Sequence, residues 1–261
     1  MEYADQTDMG GTQQAFLTTH WSLIEDVKTR PEQSTALIGL LIESYWKPVY
    51  CYLRRRGYDN EPAKDLTQDF FHEVVLNRRL LGRADQGKGR FRSFLLHALK
   101  QYVINQERDE RAQKRIPREN LVSLDTHDLP ALPQDFAQAT AEDSFQYAWL
   151  STLLERVITD IRNTCQEQGM ESHWSLFNER VVQPLLNGSA PPALSTLCER
   201  YGVPDVKKGS NMIMTMKRRF RSALMKHVGN TVASKEQASA EMEELLKFLP
   251  QTAQPPEKTG E

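Results

Sequence analysis

The 261 residues include 33 Lys and Arg against 35 Asp and Glu, which gives a net charge of −2, and 39% of them are hydrophobic. These values are typical of a globular chain of one large or two modest domains, and they exclude collagen-like and disordered classes. The longest apolar run, residues 36–42, is far shorter than the ~18 residues that a membrane helix needs, so no membrane partner is expected.

The N-terminal region and the cysteines indicate a cellular compartment. No basic-then-apolar leader precedes the first helical pattern, so no secretory signal is expected. The three cysteines, Cys51, Cys165 and Cys198, are odd in number and form no CxxC pair. Both features predict a cytoplasmic protein with free thiols.

The first half of the chain shows apolar residues at helical spacing. A wide apolar stripe covers residues 37–53, and Pro48 is expected to kink that helix. Gly57 should end the helix after three consecutive arginines. A second helix should begin at residues 59–62, where acidic residues and a proline suit a first turn, and continue with the apolar residues of 66–75.

The remaining elements are also helical. A glycine-rich loop over residues 82–89 precedes a helix predicted for 91–114, and a Pro- and Asp-rich stretch, 116–143, reads as a linker. Further helices are predicted for 144–162 and 174–186, with a short one in the tail at 242–249. Because no segment alternates like a strand, the sequence predicts an all-α fold.

Residues 194–228 have the pattern of a helix-turn-helix: a short helix, a turn and a longer helix. Leu197 and Val203 are placed to pack between the two helices. Gly202 supplies the tight turn, and Asp205 is placed to cap the second helix. The alternative is an ordinary αα-hairpin with a basic outer face.

The second helix of this pattern carries candidate DNA-binding residues. The N-terminal part of a recognition helix enters the major groove, where polar side chains read base edges and nearby cations hold phosphates. The candidates are Lys207, Lys208, Ser210, Asn211, Thr215, Lys217, Arg218, Arg219 and Arg221. We expect the apolar stripe of the same helix to be core.

A second group of candidates lies earlier, where Phe91 and Phe94 alternate with arginines. Cations can hold a strand's phosphates while exposed aromatic rings stack on unpaired bases. The alternative is that both rings belong to the core and the arginines are solvated. The candidate cations are Lys88, Arg90, Arg92, Arg108, Arg111, Lys114 and Arg115.

The charge distribution supports both groups. Residues 78–118 hold 12 basic and 4 acidic side chains, residues 206–226 hold 7 basic and none acidic, and residues 119–205 hold 4 basic and 13 acidic. A phosphate backbone responds to the field within about 8–10 Å and not to the net charge of the chain. Two cationic blocks of +8 and +7 therefore favour a nucleic-acid partner, although each alone could be a solvated helix face.

Taken together, these residues resemble a bacterial RNA polymerase sigma factor of the extracytoplasmic-function type. The strings that carry the resemblance to sigma region 2 are YWKPVY (residues 45–50), DLTQDFF (65–71) and GRFRSFLL (89–96), with FLTTHW (16–21) at the N-terminus and LVSLD (121–125) in the linker. Residues 194–228 resemble region 4. Two departures are MTMKRR (214–219), where many relatives have a run like HRLRRR, and Gly209, which weakens the first turn of the recognition helix.

The resemblance implies a sigma factor that directs promoter recognition, DNA opening and transcription initiation, with no catalysis, cofactor or metal of its own. Its partners would be core RNA polymerase, through the largest-subunit coiled coil and the flap, and promoter DNA, with an anti-sigma factor as a further partner. The residues matching the polymerase-binding segment are Asp65, Leu66, Gln68, Asp69 and Phe71. The first basic block would engage the downstream promoter element and help to open it.

Five segments follow from this interpretation. They are an N-terminal extension (1–30), a region 2-like domain (31–118), an acidic linker (119–143), a region 4-like helix-turn-helix domain (144–230) and a C-terminal tail (231–261). The linker, being acidic, would occupy a nucleic-acid path along the polymerase.

Three rival readings remain open. A metal enzyme is disfavoured: Asp65, Asp69, His72 and Glu73 are close in sequence, but no paired histidine motif, nucleophile elbow or phosphate loop accompanies them. A plain helix-turn-helix regulator would leave the DLTQDFF helix without a role. A polymerase-binding regulator without true sigma activity is the third.

Overall fold

The computed structural model describes residues 21, 24–25, 34–76, 79–113, 139–229 and 235–246, and every regular element in these ranges is helical. The predicted all-α fold class is confirmed. The helices are α1 (Ser34–Arg55), α2 (Asn60–Phe70), α3 (Arg79–Arg83), α4 (Phe91–Gln113), α5 (Ala141–Glu167), α6 (Glu171–Phe177), α7 (Gln183–Asn187), α8 (Leu194–Arg200), α9 (Val206–Gly229) and α10 (Lys235–Leu246). None of these described helices is both long and apolar enough to cross a membrane.

The first helix ends where the sequence predicts. Helix α1 stops at Arg55, and Gly57 adopts a left-handed φ of +96°, which a side chain would disfavour. The helix runs without a break through the buried Pro48, so the kink expected there stays a prediction.

The three arginines at the end of α1 are buried or make contacts with other elements of the fold. Arg54 is buried. The Nε of Arg55 donates to the carbonyl of Ala139 at 2.7 Å, and Arg56 pairs with Glu107 of α4 at 2.7 Å. These contacts connect the end of α1 to the start of α5 and to α4.

Helix α5 begins earlier than predicted. The side chain of Thr140 accepts from the N–H of Asp143 at 3.1 Å, while Asp143 Oδ2 accepts from the N–H of Thr140 at 2.9 Å. This capping box starts the helix at Ala141, three residues before the start predicted at residue 144, whereas the domain boundary at residue 143 stays a prediction. Residues 119–138 of the predicted linker lie outside the described residues.

A π-helical turn over Asn178–Val182 joins α6 to α7. Pro184 explains its position, because a proline has no N–H and its ring clashes with the carbonyl four residues earlier. Widening the helix to i→i+5 bonding just before the proline accommodates both effects. The single helix predicted for 174–186 is therefore observed as α6, the π turn and α7. A second π turn, Phe71–Leu76, continues α2.

Helix α5 is the central element of the core. Its N-terminal half packs on α1, where the rings of Phe145 and Tyr45 stack at 6.4 Å, and the α1–α5 contact is the most extensive between described helices. Its C-terminal end packs on α9, where Cys165 Sγ lies 3.8 Å from Met216 Sδ. The surface ion pair Lys47–Glu155 accompanies the first contact.

Both predicted domains contribute to one apolar core. Buried residues from Trp21 to Met242 form a contiguous cluster that includes side chains of α1, α2, α4, α5, α9 and α10. A smaller cluster lies beneath α8 and α9. The division into two domains at residues 119–143 stays a prediction, and the described parts of 31–118 and 144–230 are in direct contact.

We predict that Phe145→Ala lowers the free energy of unfolding by about 3–5 kcal/mol, because it leaves a cavity where α1 meets α5. Urea unfolding followed by circular dichroism measures this change. The control is Asn163→Ala, at an exposed position of the same helix, which should change stability by less than about 0.5 kcal/mol. If Phe145→Ala changed the free energy of unfolding as little as the control does, the central position of α5 would be contradicted.

Candidate nucleic-acid interface

Helices α8 and α9, with the turn between them, occupy the segment predicted as a helix-turn-helix. Gly202 in the turn has a left-handed φ of +63°, and the N–H of Val203 donates to the carbonyl of Cys198 at 2.8 Å. Leu197 and Val203 are buried between the helices, as predicted. The cluster that holds this unit together consists of Leu176, Leu197, Cys198, Val203, Met212 and Ile213.

The start of α9 is capped by Asp205. Its Oδ1 accepts from the N–H of Lys208 at 2.6 Å, and its carbonyl accepts from the N–H of Gly209 at 3.0 Å. The predicted cap is therefore confirmed. It satisfies backbone donors at the helix end that is expected to face DNA.

Gly209 is required by the packing of α8 against α9. A Cβ on this residue would lie 2.5 Å from Cys198 Sγ and 3.5 Å from Leu194 Cδ1. Real Cβ atoms do not approach other atoms so closely, so the two helices can cross at this distance only because Gly209 has no side chain. From the sequence alone this glycine only weakens the first turn of the helix, because the close approach that explains it involves Cys198 on the other helix.

The outer face of α9 presents most of the predicted DNA-binding residues. Its apolar stripe is buried, and Phe220 packs on Phe177 of α6 with the ring centroids 5.8 Å apart. The exposed candidates are Lys207, Lys208, Ser210, Asn211, Thr215, Lys217, Arg218 and Arg221. The Thr215 hydroxyl donates to the carbonyl of Asn211 at 3.0 Å.

Arg219 differs from the other candidates. It is half-buried, and its Nη1 donates to Gln168 Oε1 at 2.7 Å just beyond the end of α5. The nearby His173 has a lowered pKa, first because it is partly desolvated and then because Arg219 and Lys208 add positive charge. Arg219 therefore contributes to the electropositive field of this region while it also connects α9 to α5.

Glu179 connects the C-terminal end of α8 to the segment that precedes it. Its Oε2 lies 2.6 Å from Nη1 of Arg200, and its Oε1 accepts from the hydroxyl of Tyr201. The hydrogen bond to Glu179 raises the pKa of Tyr201, with burial as the second cause. Because both partners of Glu179 lie at the C-terminal end of α8, the carboxylate fixes the short helix to the α6–α7 segment.

The first basic block, residues 78–118, has cations at both exposed and buried positions. Lys88 and Arg108 are exposed, and Lys88 lies 3.8 Å from Asp85. Helix α4 includes Arg111, but its side chain, and Lys114 and Arg115 altogether, lie outside the described residues.

Arg92 is not at the surface. Its side chain is 3% exposed, its Nη1 lies 2.6 Å from Glu241 Oε1, and its guanidinium lies 4.7 Å from the ring centroid of Trp149. Arg90 is 25% exposed, with its Nε 2.5 Å from Glu241 Oε2. The expectation of a surface-presented Arg92 is wrong for this structure, because a carboxylate from the tail helix α10 pairs with both arginines.

The aromatic residues of this block are core residues. Phe91 is 1% exposed and packs edge-to-face on Trp21 and Tyr45, with centroids 6.0 and 5.7 Å away. Phe94 is half-buried, 6.1 Å from Phe91. Base stacking by Phe91 is therefore excluded in this structure, and the core alternative is correct for this residue.

One face of α2 is acidic and exposed. Asp65, Gln68 and Asp69 lie on it, whereas Leu66 is half-buried against the core. Phe71 is 2% exposed and stacks on Trp46 at 6.1 Å, so the expectation that it contacts the polymerase is wrong here.

The acidic character of this face extends into the π turn. Burial, followed by the negative charges of Glu73 and Asp69, raises the pKa of Tyr102 to about 12. His72 and Glu73 are exposed next to this face. In the described part of the chain, no three His, Cys, Asp or Glu side chains converge as metal ligands.

Glu241 is the main residue that sequence reasoning missed. Within α10, Ala238 and Met242 are buried, and Glu241 lies between them on the same helical face. A carboxylate at an inward position of an amphipathic helix requires a cationic partner. The inward position of Glu241 was therefore a signal in the sequence that this carboxylate has a cationic partner. Spacing could not identify that partner, because the two arginines lie about 150 residues earlier.

Comparisons of this chain with protein-family models, with curated proteins and with solved structures found no match.

We predict that Gly209→Ala destabilises the protein by about 1–3 kcal/mol through overpacking against Cys198, although alanine is the better helix former. The matched control is Gly229→Ala, where among the described residues nothing lies within 4 Å of the added Cβ, and it should be neutral or stabilising. Chemical denaturation of both variants makes the comparison. Equal effects would show that α8 and α9 do not cross as closely as described.

Proposed function

We propose that this protein is a sigma factor that binds core RNA polymerase, recognises a promoter, helps to open it and so directs transcription initiation. The observation that carries the proposal is the capped helix-turn-helix with an exposed basic recognition face on α9. The resemblance of residues 45–96 to sigma region 2 supplies the link to the polymerase.

Helix α9 would read the upstream promoter element. Ser210, Asn211 and Thr215 are exposed in its N-terminal half, where a recognition helix meets base edges, and an asparagine can bind adenine through two hydrogen bonds. Lys217, Arg218 and Arg221 continue the exposed face and would hold phosphates. Lys207 and Lys208 flank the capped end.

The exposed acidic face of α2 would dock on the largest-subunit coiled coil of the polymerase. Asp65, Gln68 and Asp69 offer two carboxylates and an amide on one side of a helix whose other side is buried in the core. Such a rigid polar face suits a partner surface rich in cations. The helix-turn-helix end would contact the flap.

A polymerase-binding or DNA-binding regulator without sigma activity is the second candidate. The burial of Arg92 beneath Glu241 favours it, because a sigma factor would use this basic block at the downstream promoter element. Lys88 and Arg108 remain exposed for that role in the present structure.

Reconstituted transcription distinguishes the two candidates. Purified bacterial core polymerase, this protein and promoter fragments from its own genome should yield transcripts that neither protein produces alone. Stable binding to core polymerase without transcripts would support the regulator, whereas failure to bind core polymerase would exclude the sigma factor.

We predict that Arg218→Ala makes the slope of log K against log salt for DNA binding shallower by about 0.9, the value of one lost phosphate contact. Arg219→Ala should have a smaller effect, because Arg219 already bonds Gln168. Lys64→Ala removes a cation from α2 and serves as the control, with an unchanged slope. Fluorescence anisotropy at several salt concentrations measures all three, and an unchanged slope for Arg218→Ala would place that residue outside the interface.

A further inference from the structure

We propose that Arg90 and Arg92 form a DNA-phosphate site that the tail helix α10 keeps closed through Glu241. This inference rests on the proposed function, because it assigns a controlled DNA contact to the same protein. It accounts for a feature that the fold alone leaves unexplained, namely a pair of arginines in a basic block that bind a carboxylate from another part of the chain.

The contact is a buried ion pair between one carboxylate and two guanidinium groups. Glu241 is 1% exposed, and its two carboxylate oxygens lie 2.5 Å from Arg90 Nε and 2.6 Å from Arg92 Nη1. The ring of Trp149, 4.7 Å from the Arg92 guanidinium, forms one wall of the site. Each oxygen therefore lies within ion-pair distance of its own arginine, and the aromatic face stabilises the second cation.

A phosphodiester can replace this carboxylate. Both groups present two anionic oxygens in a similar arrangement, and the guanidinium fork binds either one. Glu241 thus occupies the position that a DNA phosphate would take between the two arginines. While it remains there, neither arginine can give its full charge to a DNA backbone.

The charge and the packing of α10 both fit a helix that covers the two arginines. Its sequence, KEQASAEMEELL, has four acidic residues and one basic residue, which complements the block of +8 in residues 78–118. The helix also packs on α9, so it connects the recognition helix to the first basic block. Releasing it would affect both regions that are proposed to bind DNA.

Helix α10 adds few side chains to the core and can be displaced more easily than the longer helices. It has 12 residues, a length at which an isolated helix is marginal in water, so its order depends on its contacts with the rest of the chain. Among its described side chains, Ala238, Glu241 and Met242 are buried. Short elements with few buried side chains open at lower free energy than the core does.

The test compares two variants that remove the same charge from the same helix. Glu241→Gln neutralises the buried carboxylate, and Glu243→Gln neutralises an exposed one. The probe is a fluorescently labelled DNA duplex with a central unpaired stretch, titrated at several salt concentrations.

We expect Glu241→Gln to bind the DNA more tightly than the wild type, with a slope of log K against log salt steeper by about 0.9, since one further phosphate is neutralised. Glu243→Gln should keep the wild-type slope. The double variant with Glu241→Gln and Arg92→Gln should lose about half of the gain in DNA affinity that Glu241→Gln produces. If Glu241→Gln binds with the wild-type slope, the closed site is disproved while DNA binding stands. If no variant binds DNA, the proposed function fails as well.

A second measurement uses the wild-type protein and therefore requires no substitution in the tail. Hydrogen–deuterium exchange of the wild-type protein should become faster in residues 235–246 when the DNA is added, because phosphate displaces Glu241. Unchanged exchange in that segment with DNA bound would overturn the proposal.

Discussion

The stack of Phe145 on Tyr45 and the contact of Cys165 with Met216 lie near opposite ends of α5, and they set the constraint on which the structure depends. This helix buries apolar side chains and packs against both α1 and α9. Helix α2, which is proposed to face the polymerase, packs on α1, and α9 is the proposed recognition helix. The relative placement of the two proposed binding surfaces therefore follows from the burial of one long helix.

The sequence predicted the elements with local causes and missed those with distant ones. Gly202, Asp205 and the pair Leu197 and Val203 act within a dozen residues of one another, so the turn between α8 and α9 could be deduced from spacing alone. The start of α5 was placed three residues late, because the capping box of Thr140 and Asp143 was not recognised. The direct contact between the predicted domains was missed for another reason: apolar periodicity shows that α5 buries a face, but not which helix covers it.

The candidate site residues show the same difference between local and distant causes. The exposure of every α9 candidate except Arg219 followed from the helical period, whereas Arg92 and Phe71 lie in motifs whose sequence does not indicate which side chains are buried. Arg92 could be understood only with Glu241 in view, and Gly209 only with Cys198. In each case the decisive partner is on another helix, so the chemistry of the pair exists only after folding. A charge count by segment located the two basic blocks, yet one of them is partly neutralised from within the chain.

Promoter opening is the step that separates a sigma factor from every rival considered for this fold. Potassium permanganate oxidises thymines that are unpaired, so it reports opening without requiring a transcript. With core polymerase, this protein and a promoter fragment from its own genome, we expect reactive thymines near the transcription start only when both proteins are present. Stable binding of both proteins to the fragment with no reactive thymine would contradict the assignment of this chain as a sigma factor.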